Sequence, residues 1–295
     1  MNDRMSWRAP QLGPGQVLDL GAGRWIRAHV TGEGTPIVFV HGALVNANLW
    51  RKVVPLLDGF KRVTLDLPLG SHLEPMSKHA DLSIPAVVDL IADALEALEL
   101  DDAIVVGNDS GGALTQMLAA RRSERVGAIV LTSCDAFDNF PPRFFRIVLA
   151  PARIPGAISL AFGGLRLRAL RRLPVAYGWL TNKPIEPDAE DSYVLPVLTS
   201  KGVRRDLRRV LADANSRYTI DAALKLASWD RPALIAWSRN DRFFPFEHGE
   251  RLAKIIPGAR FEPVEGARTF SAEDQPERLA GLVGAFAKDI APSRV

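Results

Sequence analysis

Residues 103 to 112, Ala-Ile-Val-Val-Gly-Asn-Asp-Ser-Gly-Gly, constrain the fold more than any other stretch of this chain. The apolar run Ala103 to Val106 predicts a buried strand. It breaks at Gly107. Gly111 and Gly112 follow, and Ala113, Leu114, Met117 and Leu118 then recur at helical spacing. Such a strand–turn–helix forces strained backbone angles on its central residue, and small residues two positions either side relieve the crowding. Asp109 has glycine at both of those positions. Ser110 would need Asn108 as its small neighbour, which fits less well. The turn therefore presents a carboxylate. The plain alternative is a tight turn in which the Asp merely caps the helix.

The rest of the chain repeats this strand–helix alternation. Gln16 to Leu20 and Arg24 to Val30 read as a hairpin around Gly21-Ala22-Gly23. Pro36 to Val40 reads as a buried central strand ending at His41-Gly42. Asn46 to Leu57 predicts a helix with Trp50, Val53, Val54 and Leu57 on one face. Arg62 to Leu65 is a strand, and 83 to 98 a helix opened by Ser83 and Pro85. After the turn, strands are expected at Gly127–Leu131, Ala233–Trp237 and Arg260–Val264. Helices are expected at Gly249–Ile256 and Pro276–Ala287. Between Asp138 and about Leu226 strand patterns disappear. Prolines, among them Pro151, Pro155 and Pro174, break short helical stretches there.

These motifs resemble the α/β-hydrolase superfamily. The carboxylate at the turn, its nucleophile elbow, points to the haloalkane dehalogenase and epoxide hydrolase branches. Asp109-Ser110-Gly111-Gly112 also reads like trypsin-like proteases, but those are all-β and usually disulfide-bonded. Here the single cysteine, Cys134, and the strand–helix alternation argue against them. The resemblance implies an α/β fold: a mostly parallel central sheet flanked by helices, with an inserted helical cap. Residues 1–137 and 227–295 would form the core and 138–226 the cap. It further implies backbone oxyanion donors at Ala43 and Ser110, with His41 structural, and an acid at Asp241, or second at Asp135. Trp50 is a further candidate for ligand contact. Tyr177, Tyr193 and Tyr218 fall where epoxide hydrolases keep ring-opening tyrosines.

The chain departs from the family at the histidine that should activate water. The family carries Gly-His-Phe before a run such as Glu273-Asp274-Gln275-Pro276-Glu277. Here Thr269 stands in the histidine's place, and a threonine hydroxyl is no base near neutral pH. Of the five histidines, His29, His41, His72, His79 and His248, the loop residue His72 is the best substitute.

Composition narrows the classes further. A hydrophobic content of 47% supports a large core. The formal charge of +3 and the absence of a basic tail argue against nucleic acid, and no apolar run reaches membrane-spanning length. The arginines at 166–172 and 204–209 read as solvated helix faces ahead of a basic lid. No metal site and no cofactor are expected, and the location implied is cytoplasmic. The partner implied is a small-molecule substrate, and the chain could pair as a homodimer. The function expected is hydrolysis of a small, fairly apolar substrate (an ester, epoxide or carbon–halogen bond). The alternative is a cofactor-independent lyase or isomerase, or a silent binding protein of the same fold.

Overall fold

The computed structural model describes residues 3–149, 162–174 and 176–290; Pro151 and Pro155 lie outside them. Eight strands form one sheet: β1 (Gly15–Asp19), β2 (Trp25–Thr31), β3 (Pro36–Val40), β4 (Lys61–Asp66), β5 (Ala103–Asp109), β6 (Val126–Cys134), β7 (Ala233–Ser238) and β8 (Arg260–Val264). Their spatial order is β1-β2-β4-β3-β5-β6-β7-β8. β1 and β2 pair antiparallel, β2 joins β4 antiparallel, and every later pairing is parallel. This is an α/β-hydrolase fold.

Burial follows from the sheet order. β5 and β6 lie in the middle with both faces covered, and every residue of each is buried. That is why they are near-continuous apolar runs rather than alternating ones. β1 sits at the edge, and four of its five residues are exposed.

The core helices are α1 (Ile84–Ala97), α2 (Ser110–Arg121), α7 (Phe246–Ile255) and α8 (Pro276–Ile290). Ser83 caps α1 by accepting from the Ala86 N–H at 3.4 Å, with proline in the first turn. Between β6 and β7 the described residues hold helices and no strand. The longer helices there are α3 (Arg143–Leu149), α4 (Pro187–Thr199), α5 (Lys201–Asp213) and α6 (Ser216–Leu226). In that segment Arg166, Arg168 and Arg172 are exposed. Arg171 departs from a solvated face: it is buried and paired with Asp191 at 2.6 Å and Glu190 at 3.1 Å.

The helix expected over Asn46–Leu57 does not form. Two short 3-10 turns, Ala47–Trp50 and Val54–Leu56, take its place. Pro55 has no N–H to give an α-helix and disfavours helical angles at Val54. Asn46 instead caps the first turn, accepting from the Asn48 N–H at 3.0 Å. Trp50 is fully buried and packs against Phe39, ring centroids 5.0 Å apart.

Arg51 pins this loop to the far end of the chain. Its Nη1 and Nη2 bridge both oxygens of buried Glu273, the Nη2 bond being 3.0 Å, and its Nε reaches Glu186 at 3.0 Å. Lys52 supports Glu273 from the surface at 3.0 Å. Removing Arg51 leaves a buried carboxylate with only that partly exposed partner. Arg51→Met is expected to lower stability by about 3 kcal/mol, read by denaturant unfolding. A loss below about 1 kcal/mol would show that Lys52 alone suffices.

Candidate active site

Asp109 ends β5 at φ 54° and ψ −133°, a left-handed conformation that side-chain-bearing residues rarely adopt. Its surroundings impose that conformation. A Cβ on Gly107 would collide with the Thr115 hydroxyl and the Gly111 carbonyl, and one on Gly111 with the Val40 and His41 carbonyls. The sheet register shifts between Asn108 and Asp109, which lifts the carboxylate off the strand line. A Cβ on Gly42 would strike that carboxylate directly. The loop after β3 thus comes down beside the carboxylate, where the N–H groups of Ala43 and Ser110 favour its charged form.

The carboxylate lines a cavity of about 160 Å³, together with Ala43, Leu44 and Ser110 of the core. The walls come from the residues between β6 and β7, among them Phe140, Phe145, Phe162, Tyr177 and Tyr193. The Tyr177 hydroxyl donates to the Leu44 carbonyl at 2.6 Å. This bond ties the wall to the loop after β3. Tyr193 is buried on the wall with a hydroxyl that has no partner. Tyr218 does not line the cavity; it bonds Asp213 instead.

Asp241 sits in the loop after β7. Its Oδ1 accepts from the N–H groups of Phe243 at 2.8 Å and Phe244 at 3.0 Å. Thr269 is fully buried, and its hydroxyl donates to the same oxygen at 3.1 Å. Asn108 secures Thr269 from below: its Nδ2 donates to the Thr269 carbonyl at 2.7 Å and to the Thr132 hydroxyl at 2.9 Å. Asp135, at the end of β6, is fully buried, and neither carboxylate oxygen has a hydrogen bond of ordinary geometry. Gln116 holds its backbone carbonyl at 2.8 Å.

Three carboxyls therefore act on one another in a desolvated space. Burial, reinforced by Asp241, pushes Asp109 up to about 7, against the pull of the Ser110 and Ala43 N–H groups. Burial pushes Asp241 up to about 6, opposed mainly by its two backbone donors. Asp135 is raised well above the ordinary range by burial and then by Asp109, with the Ser110 side chain working the other way. Among the described residues, no group of three or more His, Cys, Asp or Glu side chains could hold a metal ion.

No histidine joins them. His72 is turned away from the cavity. Its Nε2 lies 3.3 Å from Asp206 on α5, which also accepts the Met76 N–H at 2.8 Å. The loop after β4 uses His72 to anchor that helix, so His72 is no relocated base. His41 is buried, with Nδ1 2.7 Å from the Gly42 carbonyl and Nε2 accepting the Leu67 N–H at 2.9 Å. Burial lowers it to about 4, so it stays neutral and structural. Trp50 is likewise misplaced as a ligand contact: it lies in the core and does not line the cavity.

Asn108 and Gln116 were missed from the sequence. A polar side chain inside an otherwise apolar strand is the signal that points to Asn108. Gln116 carries no comparable signal, because its partner comes from a different strand.

The α/β-hydrolase-fold family model matches residues 35–276, and the chain belongs to that family. It is 34% identical to a 2-hydroxymuconate semialdehyde hydrolase from Pseudomonas sp. (strain CF600), covering 94% of this chain and 96% of that one. It is 25% identical to haloalkane dehalogenase 2 of Mycobacterium tuberculosis (strain ATCC 25618 / H37Rv), covering 93% and 96%. The solved haloalkane dehalogenase DatA from Agrobacterium tumefaciens C58 superposes with a TM-score of 0.78 at 21% identity, covering 96% of this chain and all of that one. No described helix is long and apolar enough to cross a membrane.

Asp109 binds its proton more tightly in the folded chain than in the unfolded one, where its value is the ordinary 3.8. Stability therefore falls as pH rises from about 4 through about 7, and stays reduced above. Asp109→Asn is expected to raise the unfolding temperature by several degrees at about pH 8, on the order of a few kcal/mol, and far less at about pH 4. An Asn variant less stable than the parent at about pH 8 would contradict this charge balance.

Proposed function

We propose that this chain is an α/β-hydrolase-fold enzyme in which Asp109 attacks a small, fairly apolar organic electrophile, an alkyl halide or epoxide ahead of an ester. The observation that carries the reading is the carboxylate itself. It stands on a strained turn, is favoured in its charged form by the backbone N–H groups of Ala43 and Ser110, and faces an apolar cavity. The helical lobe of residues 138–226 serves as the cap that keeps water from that cavity. The haloalkane dehalogenases among the relatives support the carbon–halogen class.

In this mechanism one carboxylate oxygen of Asp109 forms a bond to carbon, and the carbon–halogen bond breaks as halide takes the electron pair. The other oxygen stays on the two N–H groups, where negative charge is held during attack. The product is an ester on Asp109. Its hydrolysis needs a base to take a proton from water, and Thr269 offers none. Asp241, held by Phe243, Phe244 and Thr269, is the acid that would have supported a histidine. The ester is therefore long-lived. The same missing histidine favours a second reading, a non-hydrolytic enzyme or a binding protein in this fold.

Incubation with short alkyl halides or epoxides should add one alkyl group per chain, at Asp109, as read by intact mass and peptide mapping. The attacking form is the carboxylate, so labelling should speed up as pH rises through about 7 and level off above it. Thr269→His should hasten loss of the label by about ten-fold or more. A folded protein that no member of such a panel labels at residue 109 would favour the second reading.

A further inference from the structure

We propose that the cavity above Asp109 takes a small organic cation, an alkylammonium head group, as its preferred ligand. The inference rests on the reading of this cavity as the ligand site, but not on nucleophilic attack by Asp109.

The cavity is short of donors and of positive charge. None of the described residues lining it is Lys, Arg or His. Its two backbone donors, the Ala43 and Ser110 N–H groups, lie beside Asp109 and act on its carboxyl. The Tyr177 hydroxyl is engaged by the Leu44 carbonyl. What the cavity offers a ligand is a carboxylate at its floor, a wall of Phe140, Phe145, Phe162 and two tyrosines, and the Ser110 side chain.

Among the described residues, the charged groups that act on the floor are acidic. Asp135 comes from the end of β6 and Asp241 from the loop after β7, and both act on Asp109 electrostatically. Two buried arginines, one of the lobe and one of the loop after β3, are committed elsewhere, Arg171 to Glu190 and Asp191, and Arg51 to Glu273. Burying a carboxylate without a countercharge is unfavourable, and an incoming ammonium supplies that charge. Aromatic faces attract the same cation through their quadrupoles, more strongly when water is excluded. An anionic ligand would meet the carboxylate with only the Ser110 and Tyr193 hydroxyls to set against it. A neutral ligand would fill the apolar wall but leave the floor uncompensated.

The test pairs two probes of one shape, choline and 3,3-dimethylbutan-1-ol, titrated into the full chain by calorimetry. At about pH 8 the cation is expected to bind at least about ten-fold more tightly than the alcohol. The ratio should shrink below about pH 6, where Asp109 holds its proton. Asp109→Asn should bring the ratio near one while the alcohol binds as before, which shows the cavity intact. With the parent protein at about pH 7, choline binding should release protons, seen as heats that change with the ionisation enthalpy of the buffer. That measurement serves if the variant fails to fold. Choline that binds no tighter than the alcohol, or does not bind, overturns the inference. So does a preference that survives in Asp109→Asn, or binding without proton release. Labelling of Asp109 by a neutral alkyl halide is independent of these outcomes. Labelling without cation preference sinks only this inference, and cation preference without labelling sinks only the nucleophile.

Discussion

A left-handed backbone at Asp109 is the constraint on which the rest of the site depends. A residue with a side chain costs about 1–3 kcal/mol to hold there, and local packing must enforce it. Gly107 lets α2 close onto β5, Gly111 lets it close onto the end of β3, and Gly42 lets the loop after β3 come down beside the carboxylate. The same closeness delivers the Ala43 N–H. Asn108, one residue earlier, clamps Thr132 of β6 and the Thr269 segment to the turn. The strained residue is thus fixed from several elements at once, as pre-organised sites require.

The second physical theme is charge without a partner. The space between the turn and the acid after β7 holds Thr269, whose hydroxyl donates to Asp241 but cannot take a proton. With Asp135 at the end of β6 and Asp241 in the loop after β7, three acids act on one another in a desolvated space. Burial raises the pKa of all three. Asp109 sits at the balance point near neutral pH, where ligand charge decides its state.

The sheet was legible because its signals are local. Apolar runs such as 103–106 and 233–237 need no partner to be recognised, and Gly107 with Gly111 marks the turn by spacing alone. Thr269 was located by the acidic run that follows it. What failed needed three dimensions. Trp50 sits in an amphipathic pattern that Pro55 prevents from becoming a helix. His72 lies on a loop at the carboxyl end of the sheet, but Asp206, 134 residues later, draws it away. Of the cavity walls, Tyr177 and Tyr193 were legible through the resemblance and the phenylalanines were not. Phe140, Phe145 and Phe162 look like any other core aromatics until the helices between β6 and β7 fold over Asp109.

Asp109 is a buried carboxyl poised near neutrality, without a cationic partner among the described residues. Its titration tests this most directly. Carbon-13 NMR of aspartate side-chain carboxyls, with the Asp109 signal assigned by its loss in Asp109→Asn, should show a midpoint near 7. A midpoint at or below the ordinary value of 3.8 would mean that the carboxylate is solvated or already paired with a cation. Either would contradict the account.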